Sequence, residues 1–168
     1  SFEFLFTRIK DDMDKIIHAL LKNERIIIFG DEKEITVALA TMRWFLPHKK
    51  LYNDLWTVPL VDAEALFSRT SESTNLHILG IHNGSFDTLI QKQDDFKTKI
   101  ATIDVINEHL EASDESPLDT KVIVDLNDGS VVGGITNRFC LSLLEAIKDQ
   151  SYNDILRIIS EHIDYLLE

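Results

Sequence analysis

The chain has 168 residues, 44% of them hydrophobic, which suits a single domain with a sizeable core and excludes general disorder. Its 17 basic against 29 acidic side chains leave a net charge of −12. That balance argues against nucleic acid and anionic membrane surfaces, both of which are held by Lys and Arg neutralising phosphate, and it either keeps the chain soluble or steers a basic partner.

Ser1 stands where a methionine would begin a chain, directly before the apolar run FEFLF. We read this as an excised domain of a longer protein. No apolar run approaches the roughly 20 residues that cross a bilayer, and no signal peptide is recognisable. The one cysteine, Cys140, has no internal disulfide partner, which fits a reducing, cytoplasmic compartment.

Ile9, Met13, Ile16, Ile17 and Leu20 recur at helical spacing and predict an amphipathic helix. Lys22-Asn23-Glu24 interrupts it. Arg25 to Phe29 is a short, Ile-rich run of the kind found in strands covered on both faces. Gly30-Asp31 turns the chain. Ile35, Ala38, Leu39, Met42, Phe45 and Leu46 then mark a second amphipathic helix, stopped by Pro47. Asp54 to Val61 reads as a strand with Pro59 near its end, suited to an edge. Ser68 to Asn75 reads as a polar loop and Leu76 to Ile81 as another buried strand. Phe86 to Ile90 starts a short helix. Ile100, Ile103, Ile106 and Leu110 fit a further helix, with strand as the alternative. Glu111 to Asp119 is an acidic loop.

Lys121 to Leu126 is a strand, Asn127-Asp128-Gly129 a hairpin turn, and Ser130 to Val132 the returning strand. Two helices close the chain. One carries Phe139, Cys140, Leu143, Leu144 and Ile147. The other carries Ile155, Ile158, Ile159, Ile163 and Leu166, with Ser151 and Asp154 as a capping box. Buried strands alternating with helices predict a layered α/β/α fold. Its central sheet is mostly parallel with one hairpin, all in one domain spanning 1–168.

The junction Gly30-Asp31-Glu32-Lys33-Glu34 lies where open α/β sheets often bind phosphate. It has one glycine and three acids, and neither dinucleotide nor P-loop spacing is present. The acids serve the helix dipole instead. Gly133-Gly134 reads as a sharp turn. Asp125, Asn127 and Asp128 miss the spacing of a calcium loop.

His77 and His82 point to opposite faces of one strand, and His18, His48, His109 and His162 form no metal pattern. Cys140, mid-helix among apolar neighbours, reads as inert. Asp62 and Glu64 read as capping acids rather than a catalytic pair. Arg43 and Trp44 fall off the apolar stripe of the second helix, which suits an interface anchor, although Trp44 equally suits packing beneath a neighbouring loop. No constellation for bond-making chemistry emerges, and no metal or cofactor is expected.

Three segments in order carry a resemblance. ALLKNERIIIFG followed by a helix ending FLP, LHILGIHNGSF, and KVIVDLNDGSVV together resemble the central region of DENN domains over most of residues 9–134. The short link after the second helix and the two closing helices, joined through Lys148-Asp149-Gln150, look most like the folliculin branch of that superfamily. The resemblance implies a regulatory module that binds a small GTPase of the Rab or Rag type and other subunits of a larger assembly. Any activity would be guanine-nucleotide exchange for Rab-like GTPases, or folliculin-like regulation of Rag GTPases. It implies no catalytic arginine at Arg43 or Arg138. The partner-facing candidates are Asp31, Arg43, Trp44 and Arg138. A nucleotide- or phosphate-binding α/β enzyme and a purely structural interaction domain are the alternatives.

Overall fold

The computed structural model describes residues 3–47, 53–56, 78–86, 94–95, 97–98 and 120–167. In chain order these form α1 (Glu3–Ile9), a 3-10 turn (Lys10–Asp12), α2 (Met13–Leu21), β1 (Arg25–Gly30), α3 (Glu32–Arg43), β2 (Asn53–Trp56), β3 (Ile78–His82), a second 3-10 turn (Asn83–Phe86), β4 (Thr120–Asp125), β5 (Ser130–Gly133), α4 (Arg138–Ile147) and α5 (Tyr152–Leu167). The fold is mixed α/β. Its five-stranded sheet has the order β2-β3-β1-β4-β5, parallel except for the antiparallel β4–β5 hairpin.

Register shows how the Ile-rich β1 is used. Ile26 lies opposite Ile78 and Val122, and Ile28 opposite Gly80 and Val124, so these residues share one face. That face forms one cluster with Leu5, Ile16, Ile35, Met42, Leu143 and Ile159, drawn from α1 to α5. Ile27, Phe29, Leu79, Ile81 and Ile123 point the other way and are also buried. Phe86 and Lys97 lie against Phe29 on that second side, and residues 97–98 are helical. Both faces of the central strands are therefore covered, and each fully buried Ile contributes roughly 1.5–3 kcal/mol.

Several boundaries differ from the sequence reading. Ile9 and Met13 do not share a helix: the chain breaks at Lys10, whose φ is 54°, and Glu3–Ile9 forms a separate helix that buries Leu5 and Ile9. The second amphipathic helix ends at Arg43, not at Pro47. Trp44, Phe45 and Leu46 continue with tighter bonds to Thr41 O, Met42 O and Arg43 O, which keeps Phe45 and Leu46 buried beyond the helix end. Leu166 is 51% exposed, so the stripe of α5 stops burying at Ile163. Phe86 closes a 3-10 turn rather than opening a helix.

Other expectations are met. β2 is an edge strand. Asn23 takes a left-handed conformation (φ 57°) after α2, with Glu24 N donating back to Ala19 O, a usual way to stop a helix. Asp154 N donates to Ser151 Oγ, whose hydroxyl in turn donates to the Asp154 carboxylate at 2.8 Å. The expected features at 57–77, 87–90 and 99–119, with His48, Asp62, Glu64, His77 and His109, lie outside the described residues.

Candidate functional site at the carboxyl ends of the strands

β1, β3 and β4 run parallel, so their carboxyl ends meet at one rim of the sheet. β1 is where the strand order reverses: β2 and β3 lie to one side, β4 and β5 to the other. A ligand of an open α/β sheet would sit at this rim. Its described lining is Gly30 and Asp31 at the end of β1, His82 and Asn83 at the end of β3, and Asp125, Leu126 and Asn127 at the end of β4.

The rim is filled by the chain itself. A Cβ added at Gly30 would stand 3.1 Å from Leu126 Cβ and 3.6 Å from Ile35 Cγ1, so the close approach that a phosphate needs is already taken. Asp31 caps α3, its Oδ2 accepting from Lys33 N at 3.2 Å. A carboxylate thus holds an amide that an anion would use, and repels that anion. Leu126 N donates to Phe29 O, drawing the end of β4 across β1.

From the other side, Arg8 of α1 donates through Nη1 to Leu126 O. Its Nη2 lies 3.2 Å from Glu34 Oε1, and its guanidinium stacks on Phe4. Asn83 and Asn127 join as a reciprocal amide pair at 2.8 and 3.0 Å, bridging the ends of β3 and β4.

Asp125 is the buried acid of this rim. It pairs with Lys97, and its Oδ1 accepts from Asn127 N at 3.0 Å. Burial pushes the Lys97 ammonium down. The bond to Asp125 and the charges of Asp125, Asp94 and Asp128 outweigh that, so its pKa is held above the usual lysine value. Burial likewise pushes the Asp128 carboxyl up, but hydrogen bonds from Ser130 and the nearby Lys97 charge hold it below the usual range. Lys97 and Asp128 are therefore both held in their charged forms, which suits a structural ion network and not proton transfer. Asp125, Asn127 and Asp128 build the turn of the hairpin, and Gly133 and Gly134 take φ of 79° and 85° as the chain leaves it.

Cys140 lies in the first turn of α4, not mid-helix. A helix amino terminus ordinarily lowers a thiol's pKa. Here burial, then the nearby Asp14 charge, push it up to about 11. The thiol is inert for the physical reason opposite to its position. Asp14 itself is 2% exposed, and its Oδ2 has no hydrogen-bond partner among the described residues. Nothing in the helical pattern of α2 marks it, since an acid between Met13 and Lys15 reads as surface.

His18 and His82 each hold a buried Nδ1 without a partner among the described residues. His162 Nδ1 donates to Ile158 O. No group of three His, Cys, Asp or Glu among the described residues is placed to hold a metal.

The four partner-facing candidates do not converge. Asp31 is exposed at the rim. Arg43 is exposed at the far end of α3 and donates to Asn53 Oδ1 at 3.0 Å. Arg138 is exposed at the start of α4. Trp44 is half-buried against the core, edge-on to Tyr152 at 5.2 Å. Trp44 therefore packs against the first residue of α5, not beneath a loop, and stays partly exposed.

The chain matches no protein family, no curated protein and no solved structure.

Proposed function

We propose that this chain is a regulatory binding module, the DENN-type unit of a small-GTPase regulator, acting on a Rab-like or Rag-like GTPase as part of a larger assembly. The observation that supports a binding role over ligand chemistry is the rim. The place where an α/β enzyme would hold its nucleotide is occupied by Arg8, Leu126 and the Asn83–Asn127 pair. Opening a GTPase nucleotide site requires a surface that holds the switch regions, with no acid or base of its own. On this reading the module works in the cytoplasm and reaches vesicle or lysosomal membranes through its partners. Among the described residues no helix is long and apolar enough to cross a membrane.

The test is fluorescent-nucleotide release from a panel of Rab and Rag GTPases in the presence of the full-length protein. At least one GTPase should release nucleotide about tenfold faster, or be captured in its nucleotide-free form. Arg43→Ala with Arg138→Ala should weaken that effect while leaving the unfolding transition in place, because both side chains are exposed. Free nucleotide should leave the melting temperature unchanged. A ligand at a hundred times its Kd would add about 2.7 kcal/mol, so a shift of several degrees with nucleotide alone would replace this reading with that of a nucleotide-binding enzyme.

A further inference from the structure

Edge strands expose unpaired backbone groups, and proteins ordinarily blunt them with lysine, proline, an inward charge or a covering segment. β5 is such an edge. Residues 130–136, SVVGGIT, carry no charge and no proline. Val132 is 51% exposed and Ile135 60%. Among the described residues, none pairs with the outer side of β5. Among the described residues, shortness is the one protective device it shows.

A second observation lies beside that edge. Val132 stands opposite Ile123 and Ser130 opposite Asp125, so both β5 side chains share the face on which Lys97 lies. There Lys97, Thr98, Ile123, Asp125, Ser130 and Val132 line a cavity of about 160 Å³, with an aliphatic wall and a polar floor. Asp125 lines it, and Asp94 and Asp128 lie near enough to act on the single charge of Lys97, which Asp125 and Asp94 already engage.

We propose that β5 is a strand-addition site for a basic extended peptide. The peptide backbone pairs with the outer edge of β5, one aliphatic side chain enters the cavity beside Val132, and flanking Lys or Arg side chains meet Asp94 and Asp128. In this mode main-chain hydrogen bonds supply affinity and the side-chain pocket supplies selectivity. The charge selects the occupant: a second copy of this chain would bring −12 against −12, whereas a basic segment gains from the same field. The proposal does not depend on the GTPase reading.

The experiment uses the intact chain and two fluorescein-labelled peptides, Thr-Lys-Thr-Val-Thr-Lys-Thr, whose lysines share the valine's face in an extended strand, and its counterpart with glutamate in place of lysine. The basic peptide should bind saturably by anisotropy at low salt. Binding should slow amide hydrogen exchange in residues 130–133. V132K should weaken it about tenfold by placing a like charge at the pocket mouth, while V132T keeps the shape and the binding. Circular dichroism confirms that both variants are folded. The proposal is overturned if the basic peptide fails to saturate, if the acidic peptide binds as well, if V132K binds like the parent, or if exchange in 130–133 is unchanged. A dimer in sedimentation that V132K dissolves would give the edge to a second copy and overturn it equally.

Discussion

β1 and β5 belong to one sheet and stand two positions apart, yet they solve different problems. β1 is paired on both sides and covered on both faces. From Ile26 to Gly30 every residue is buried, and its Ile content reflects a strand with no solvent side. β5 is paired on one side only, and three of its four residues are exposed. The first strand makes stability and offers nothing to a partner. The second adds little stability and keeps its backbone available. The chain thus separates its structural strand from its recognisable one instead of asking one element for both.

Substitutions should reveal that division as a graded series. Ile28→Ala, in the fully buried centre of β1, removes side-chain volume from the face shared by α1 to α5. It should lower unfolding free energy by about 3–4 kcal/mol in urea titration. A loss below about 1 kcal/mol would mean that β1 is not the core strand. Gly134→Ala tests the seam where the hairpin returns over α2. Its φ is 85°, and an added Cβ would lie 2.9 Å from Lys15 Cβ, so a loss of about 1–3 kcal/mol is expected. At the small end, Val132→Thr on the exposed face of β5 should change stability by less than about 0.5 kcal/mol. If Val132→Thr cost as much as Ile28→Ala, the contrast between the strands would fail.

How much of this could be read in the sequence follows from the range of the interactions. β1, the hairpin and the caps at Asp31 and Ser151 were legible because each depends on residues a few positions apart. The parallel, mostly buried sheet followed from strands alternating with helices. The break at Lys10 was not legible, because Ile9 and Met13 keep helical spacing across it and the left-handed φ of a lysine has no marker. The sealed rim was legible only in part. The acids of the Gly30 loop argued against phosphate, but the bonds from Arg8 to Leu126 O and between Asn83 and Asn127 join residues 118 and 44 positions apart. Cys140 was rightly read as inert, although for burial beside Asp14 and not for a position deep in its helix. Trp44 lies off the stripe and still packs, because Tyr152 of α5 reaches it from outside α3.

The strand order also sets a timetable for biogenesis. β1 leaves the ribosome before both of its ladder partners, β3 first and β4 later still. At ordinary synthesis rates the roughly 95 residues between Ile26 and Val122 take about 5–20 s to emerge. Until β3 emerges RIIIFG has two open edges, and until β4 emerges it has one, with the aliphatic composition that seeds intermolecular stacking. Among the described helices, α1, α2 and α3 are available to cover one of its faces in that interval. The amphipathic helices on either side of β1 therefore act first as its nascent shield and only afterwards as a layer of the finished core.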